Sequence, residues 1–233
     1  MNQPSIFTRD LWGNQEKRLI DLLVLALVML DDEGRLPKAE EEITRRLAKC
    51  CTAAEFLLAK EGRGINGHLI WDTKDWFQYI DTSIPVGDVK RPDCQYQFRD
   101  QQASRSEDYV KALTIECKRL GHFTDSSHTK ALNQKYVLEG IRRFLDPKHS
   151  YGKLAASGIM IGYVQNMEFE RILADVNGEC AKEQITELAL SMQRPPTMRT
   201  NHLDHRFDRP FLVSPFTLRH IWADLRIHYN RAN

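Results

Sequence analysis

The sequence has no apolar run long enough to span a bilayer, no cysteine pair at zinc-knuckle spacing and no surplus charge of either sign. It also has no internal repeat or low-complexity tract. Each absence removes a class of protein. The longest apolar stretch, Leu19 to Leu30, is interrupted by Asp21, and a membrane-spanning helix needs about 20 such residues. It follows Lys17 and Arg18 with no small-residue cleavage site, so it reads as a buried helix rather than an anchor or a secretory leader. A cytoplasmic protein without a membrane partner is expected. The formal net charge of +1 excludes a general polyanion coat, so any nucleic acid must be held by a local patch. The five cysteines, Cys50, Cys51, Cys94, Cys117 and Cys180, are odd in number and read as free thiols in a reducing compartment.

Several catalytic signatures are missing as well. GRGING, from Gly62, lacks the lysine-serine ending of a phosphate loop and follows no clear strand. There is no serine-nucleophile elbow, helix-turn-helix, zinc finger or RNA-recognition signature. ATP-driven and acyl-transfer chemistry therefore have no support, and sequence specificity cannot be assigned.

What is present is ordinary globular material: 233 residues, 42% hydrophobic and 28% charged, enough for one domain with a substantial core. Periodicity predicts a helix over Gln15–Leu30, broken by DDEGRLP, and another over Lys38–Lys60. In the second, Ile43, Leu47, Cys50 or Cys51, Ala54 and Leu58 form an inward stripe. Pro85, Gly87 and Pro92 mark a loop that feeds the strand DCQYQF, and ALTIECK, residues 112–118, is a second strand. A helix is expected over His128–Leu145 and a buried strand over Gly158–Val164. Met167–Met192 holds a further helical segment, TMRTNHLDHRFDRPF a polar loop, FLVS an edge strand, and a terminal helix begins near Pro215. Together these predict an α/β sandwich: one domain over 1–233, with a helical part at 1–62, a catalytic core at 83–164, and C-terminal helices with an edge strand at 165–233.

The chemistry concentrates in ALTIECK. Alternation on a strand puts Leu113, Ile115 and Cys117 on one face and Thr114, Glu116 and Lys118 on the other. Asp93, behind Pro92, stands where a neighbouring strand can bring its carboxylate beside Glu116. Two carboxylates and the Cys117 backbone carbonyl would make a hard oxygen site for Mg²⁺ or Mn²⁺. Such an ion lowers the pKa of bound water, and Lys118 would orient that water and stabilise the developing anion. The competing reading is a solvated strand face that carries Glu and Lys for solubility. Against it, ECK is the only Glu-x-Lys triplet in the chain and lies within the strongest strand signal.

The PD…ECK pattern resembles the signature of the PD-(D/E)XK nuclease superfamily, over roughly Glu40 to Val164. The resemblance implies a restriction-endonuclease-like α/β/α sandwich around a mixed central sheet, here with an N-terminal helical segment. It further implies Mg²⁺-dependent cleavage of DNA more than RNA, with Asp93 and Glu116 as metal ligands and Lys118 as the catalytic lysine. Similar nucleases place another acidic residue on a preceding helix. Glu40, on the face of Ile43 and Leu47, is the candidate here, with an acidic first turn serving the helix dipole as the alternative. They also carry polar residues on the helix after the lysine strand, which points to Gln134, Tyr136 and Arg143. A solvated arginine pair, Arg142 with Arg143, is the plainer reading. Gly140 would allow close packing against the sheet.

Arg199 and Arg206 are candidate phosphate contacts. His202 and His205 lack a third ligand at zinc spacing. Without a recognition domain, targeting by a homodimer or a protein complex is expected, and by analogy a role in bacterial or phage defence or DNA processing. Two rival readings stand beside this one. The first is a nuclease-like binding or assembly subunit with a weak or inactive centre. The second is an interaction protein whose Asp93 and Glu116 lie more than about 8 Å apart, too far to share one ion.

Overall fold

The computed structural model describes the backbone of residues 6–76, 78, 83, 85, 88–122, 131–149, 151–197, 199–210 and 213–229, with side chains from residue 11 onward. Helix α1 (Ile6–Asp32) and helix α2 (Glu40–Lys60) form a hairpin, turned at Gly34, whose φ of 88° suits glycine. No helix among the described residues is long and apolar enough to cross a membrane.

Strands β1 (Gly67–Trp71), β2 (Cys94–Arg99) and β3 (Val110–Leu120) form an antiparallel meander, with the one-turn helix α3 (Ser106–Tyr109) before β3. Helix α4 (Leu132–Leu138) and a 3₁₀ turn (Ile141–Phe144) lead to β4 (Ser157–Val164), which runs parallel to β3. After helix α5 (Phe169–Lys182) come β5 (Ala189–Leu190), β6 (Thr200–Phe207) and β7 (Phe216–Asp224). The result is one mixed seven-stranded sheet in the order β1-β2-β3-β4-β7-β6-β5. Only the central pairs, β3 with β4 and β4 with β7, are parallel.

Two apolar clusters flank the sheet. One packs Leu19, Leu23 and Leu27 of α1 and Ile43, Leu47 and Ala54 of α2 against Ile115, Cys117, Ile159 and Ile161. The other packs Tyr136 and Val137 of α4 and Ile172 and Val176 of α5 against Met160, Leu218 and Trp222. Three layers follow, α/β/α. All five cysteines are buried free thiols, as their number and spacing predict.

The C-terminal third departs from expectation. Residues 216–224 are not a helix but β7, seated between β4 and β6. Phe216, Leu218, His220 and Trp222 are buried towards one layer, and Ile221 and Ala223 towards the other. A strand covered on both sides loses the polar alternation that marks it in sequence. The expected polar loop is largely β6, and its His202, Leu203 and His205 are buried. Of FLVS, residues 211 and 212 lie outside the described residues, and Val213 and Ser214 are in no strand. The expected helix over 128–145 begins on residues outside the described set. Its remainder is cut at Gly140, with φ −124° and ψ −84°, into α4 and the 3₁₀ turn.

Candidate active site

The ladder between β2 and β3 ends at Cys94 opposite Ile115. Beyond that point the Cys117 N–H has no strand partner on the β2 side, and the Asp93 carboxylate takes it, Oδ2 accepting at 2.7 Å. The motif aspartate thus also caps the strand that carries the other two motif residues. Glu116 and Lys118 follow on the strand face opposite Cys117, as alternation requires.

The four expected side chains converge. Lys118 Nζ lies 2.9 Å from Glu116 Oε1, 3.0 Å from Glu40 Oε1 and 3.9 Å from Asp93 Oδ2. Measured to one nitrogen, these distances put the Asp93 and Glu116 carboxylates within 8 Å of each other, so the reading that separates them does not hold. Lys118 also donates to the Cys117 carbonyl at 2.8 Å. Glu40, the first residue of α2, reaches the sheet through both oxygens, since Oε2 accepts the Arg119 backbone N–H at 3.0 Å. Its neighbour Glu42 instead pairs outward with Arg45.

Arg143 joins the centre from the 3₁₀ turn, its guanidinium bonding Glu116 Oε1, with Tyr151 beneath it at 5.9 Å from the ring centroid. Glu116 Oε1 therefore meets two cations. Its Oε2 is buried and has no hydrogen-bond partner among the described residues. Burial pushes the Glu116 carboxyl up to about 7, against the pull of Lys118 and Arg143. Burial likewise raises Asp93 despite Lys118 and the Cys117 N–H. Burial alone would lower Lys118, but Glu116, Glu40 and Asp93 outweigh it and hold the ammonium charged.

Gly140 explains how the turn fits so closely. A Cβ there would stand 2.6 Å from Met160 Cε, against the Tyr136 carbonyl, and 3.4 Å from Lys118 Cγ. On the same sheet face a buried polar chain supports the centre. Gln95, opposite Thr114, donates to Asp75 Oδ2 at 3.0 Å and lies 3.5 Å from Thr114 Oγ1. Gln95, Asp75 and Tyr151 were not singled out in the sequence, and Thr114 was placed on this face without a role. The available signal was Thr114, one strand repeat before Glu116, and a glutamine in the facing strand.

The remaining candidates lie elsewhere. Gln134 bonds Glu179 at 3.2 Å. Tyr136 is fully buried, and its hydroxyl is used by Trp222 Nε1 at 2.9 Å and His220 Nδ1 at 2.7 Å. It has no surface to offer a nucleic acid. Arg199 pairs with Asp32 at 2.7 Å and Asp31 at 3.3 Å. Arg206 is exposed on β6, separated from β3 by β7 and β4. His202 and His205, three apart on β6, point to opposite faces and cannot share an ion. Among the described residues no group of three or more His, Cys, Asp or Glu is spaced to hold a metal.

No family model matches this chain, and neither a curated protein nor a solved structure resembles it closely enough to count as a match.

Proposed function

We propose that the chain is a metal-dependent nuclease of PD-(D/E)XK type that hydrolyses phosphodiester bonds in DNA. The observation that carries this reading is the convergence of Asp93, Glu116, Lys118 and Glu40 on one spot, with the buried Glu116 Oε2 left without a partner. An unsatisfied buried carboxylate oxygen is costly and calls for a ligand. The donors are carboxylate and carbonyl oxygens, the set that suits Mg²⁺ or Mn²⁺. Asp93, Glu116 and the Cys117 carbonyl would hold the ion, and Glu40, bonded to Lys118, is a further candidate ligand. The chemistry such an ion supplies is acidification of bound water and charge stabilisation at a phosphoryl oxygen.

The chain's own residues do the rest. Asp93 is fixed by the Cys117 N–H, and Arg143 fixes the rotamer of Glu116. Lys118, held charged by its neighbours, orients the attacking water and meets the developing anion. A mixed sheet with the motif at the entry to β2 and on the adjacent β3, between helical layers, is compatible with a restriction-endonuclease-like core. Engagement of DNA as a homodimer or within a protein complex, in a defence or DNA-processing system, completes the proposal.

One observation favours a second reading, a nuclease-like binding or assembly subunit with a weak centre. Lys118 already bonds the oxygens that an ion would need. Incubation of circular and linear DNA with purified protein in Mg²⁺, Mn²⁺ or EDTA, beside Lys118→Ala, separates the two. Metal-dependent cutting lost in the variant supports the nuclease, and cutting of the circle identifies endonuclease action. DNA binding without cutting in any metal supports the subunit. Equal cutting by both proteins contradicts the assigned centre.

A further inference from the structure

An ammonium has three N–H donors, and Lys118 spends all three inside the centre. They go to Glu116 Oε1 at 2.9 Å, Glu40 Oε1 at 3.0 Å and the Cys117 carbonyl at 2.8 Å. The side chain is 9% exposed, so water does not compete for these bonds. Two of the acceptors, Glu116 and the Cys117 carbonyl, are assigned above to the ion, and the third, Glu40, lies beside it. Mg²⁺ draws oxygens to about 2.0–2.1 Å, closer than any of these contacts, and an ammonium cannot share that space with a divalent ion. Charge gives the same answer. Three carboxylates (Glu40, Asp93 and Glu116) face two side-chain cations (Lys118 and Arg143), so the cluster is neutralised largely from within.

We infer that Lys118 is a resident cation that seals the carboxylate centre until a divalent ion displaces it, so that loading the centre and freeing this lysine are one event. The inference rests on the metal-centre reading above. Only the end of the side chain has to move, because its stem lies against the turn at Gly140. Once the Nζ leaves the Cys117 carbonyl, its donors become available to a phosphate oxygen or to the attacking water. Before loading, the same three donors are occupied. The centre therefore has no free cationic group from Lys118 for substrate until the ion is present, and idle engagement of phosphates at the centre is suppressed. Arg143 does not duplicate this role, since it bonds Glu116 but not the Cys117 carbonyl, and its guanidinium stays over Tyr151.

The test is a calorimetric titration of Mn²⁺ into the full-length wild type, Lys118→Met and Asp93→Ala. Methionine keeps the stem and removes the charge. Charge-assisted hydrogen bonds that no longer have to be broken should tighten Mn²⁺ binding to Lys118→Met by about tenfold or more over wild type, while Asp93→Ala binds more weakly. Equal affinity in wild type and Lys118→Met, or weaker binding in Lys118→Met, overturns the seal and leaves the metal centre standing. No binding by either overturns both. A second measurement needs no variant. Reductive methylation of the wild type, read by mass spectrometry, should modify Lys118 several-fold faster with Mn²⁺ than with EDTA. A rate that Mn²⁺ leaves unchanged, or slows, contradicts the inference even if Lys118→Met does not fold.

Discussion

At the scale of single residues, burial sets the chemistry on both sides of the sheet. Glu116 is placed where its carboxyl is pushed up to about 7, while Lys118 beside it stays charged. Removing Glu116 takes away the partner of the buried Lys118 and of the half-buried Arg143. On the proposed nuclease function, Glu116→Gln should therefore lower DNA cleavage at least about 100-fold, as the loss of a transition-state electrostatic group does, with single-turnover kinetics as the check. Two histidines behave in the opposite sense to Glu116. Burial holds His205 down at about 4 and His220 well below its usual range. Both stay neutral when folded and gain a proton near pH 6.5 when unfolded. The unfolded state thus binds more protons below pH 6.5, and stability present above that pH is lost as pH falls, by up to about 1.4 kcal/mol per pH unit for each histidine. Urea titrations at pH 7, 6 and 5 should show the midpoint falling. His205→Gln should flatten the slope, and an unchanged slope would mean that His205 is not neutral in the fold.

Among the elements, the turn after α4 carries the most consequence for the site. Gly140 ends the helix, admits Arg143 to Glu116 and lies against Lys118 and Met160. Gly140→Ala adds one methyl where none fits. It should destabilise the protein by about 1–3 kcal/mol and shift Lys118, so that cleavage falls by more than the loss of folded protein explains. Thermal melts beside activity measured well below the melting point would check this. Why some elements were legible in the sequence and others were not also belongs to this scale. α2 carries a long 3.6-residue stripe, and β3 and β4 are dense apolar runs, so these three fall close to where the sequence puts them, whereas α1 begins at Ile6, well before the expected start at Gln15. Glu116, Lys118 and Glu40 were readable because alternation and helical spacing fix which way each points, and Asp93 because it follows Pro92 at the head of the neighbouring strand. Arg143 was read as a polar residue after the lysine strand or as half of a solvated arginine pair, because its approach to Glu116 depends on the break at Gly140. β6 and β7 were hidden because histidines, arginines and a tryptophan fill positions that the fold satisfies in pairs, fully buried in Tyr136–His220 and half-buried in Arg219–Asp204.

For the molecule as a whole, the C-terminal third is structural rather than appended. β7 lies between β4 and β6, and its Phe216, Leu218 and Trp222 close the core beneath α4 and α5. A chain ended at residue 183 would leave β4 as a bare central edge and expose that core. It should not unfold cooperatively, as a broad or absent urea transition by circular dichroism would show. A sharp transition would mean that residues 1–183 fold alone. The same architecture connects the helical hairpin to the chemistry, since α2 begins at Glu40 inside the centre and continues along the sheet. Asp93, Glu116 and the Cys117 carbonyl meet around one point in space, now held by Lys118 Nζ. Crystals soaked in Mn²⁺, with anomalous diffraction recorded, test that point most directly. An anomalous peak is expected within coordination distance of Asp93 and Glu116, with Lys118 Nζ withdrawn from the Cys117 carbonyl. A protein that binds Mn²⁺ with its peak elsewhere, or shows none at saturating ion with Lys118 still in place, would contradict the proposed metal centre.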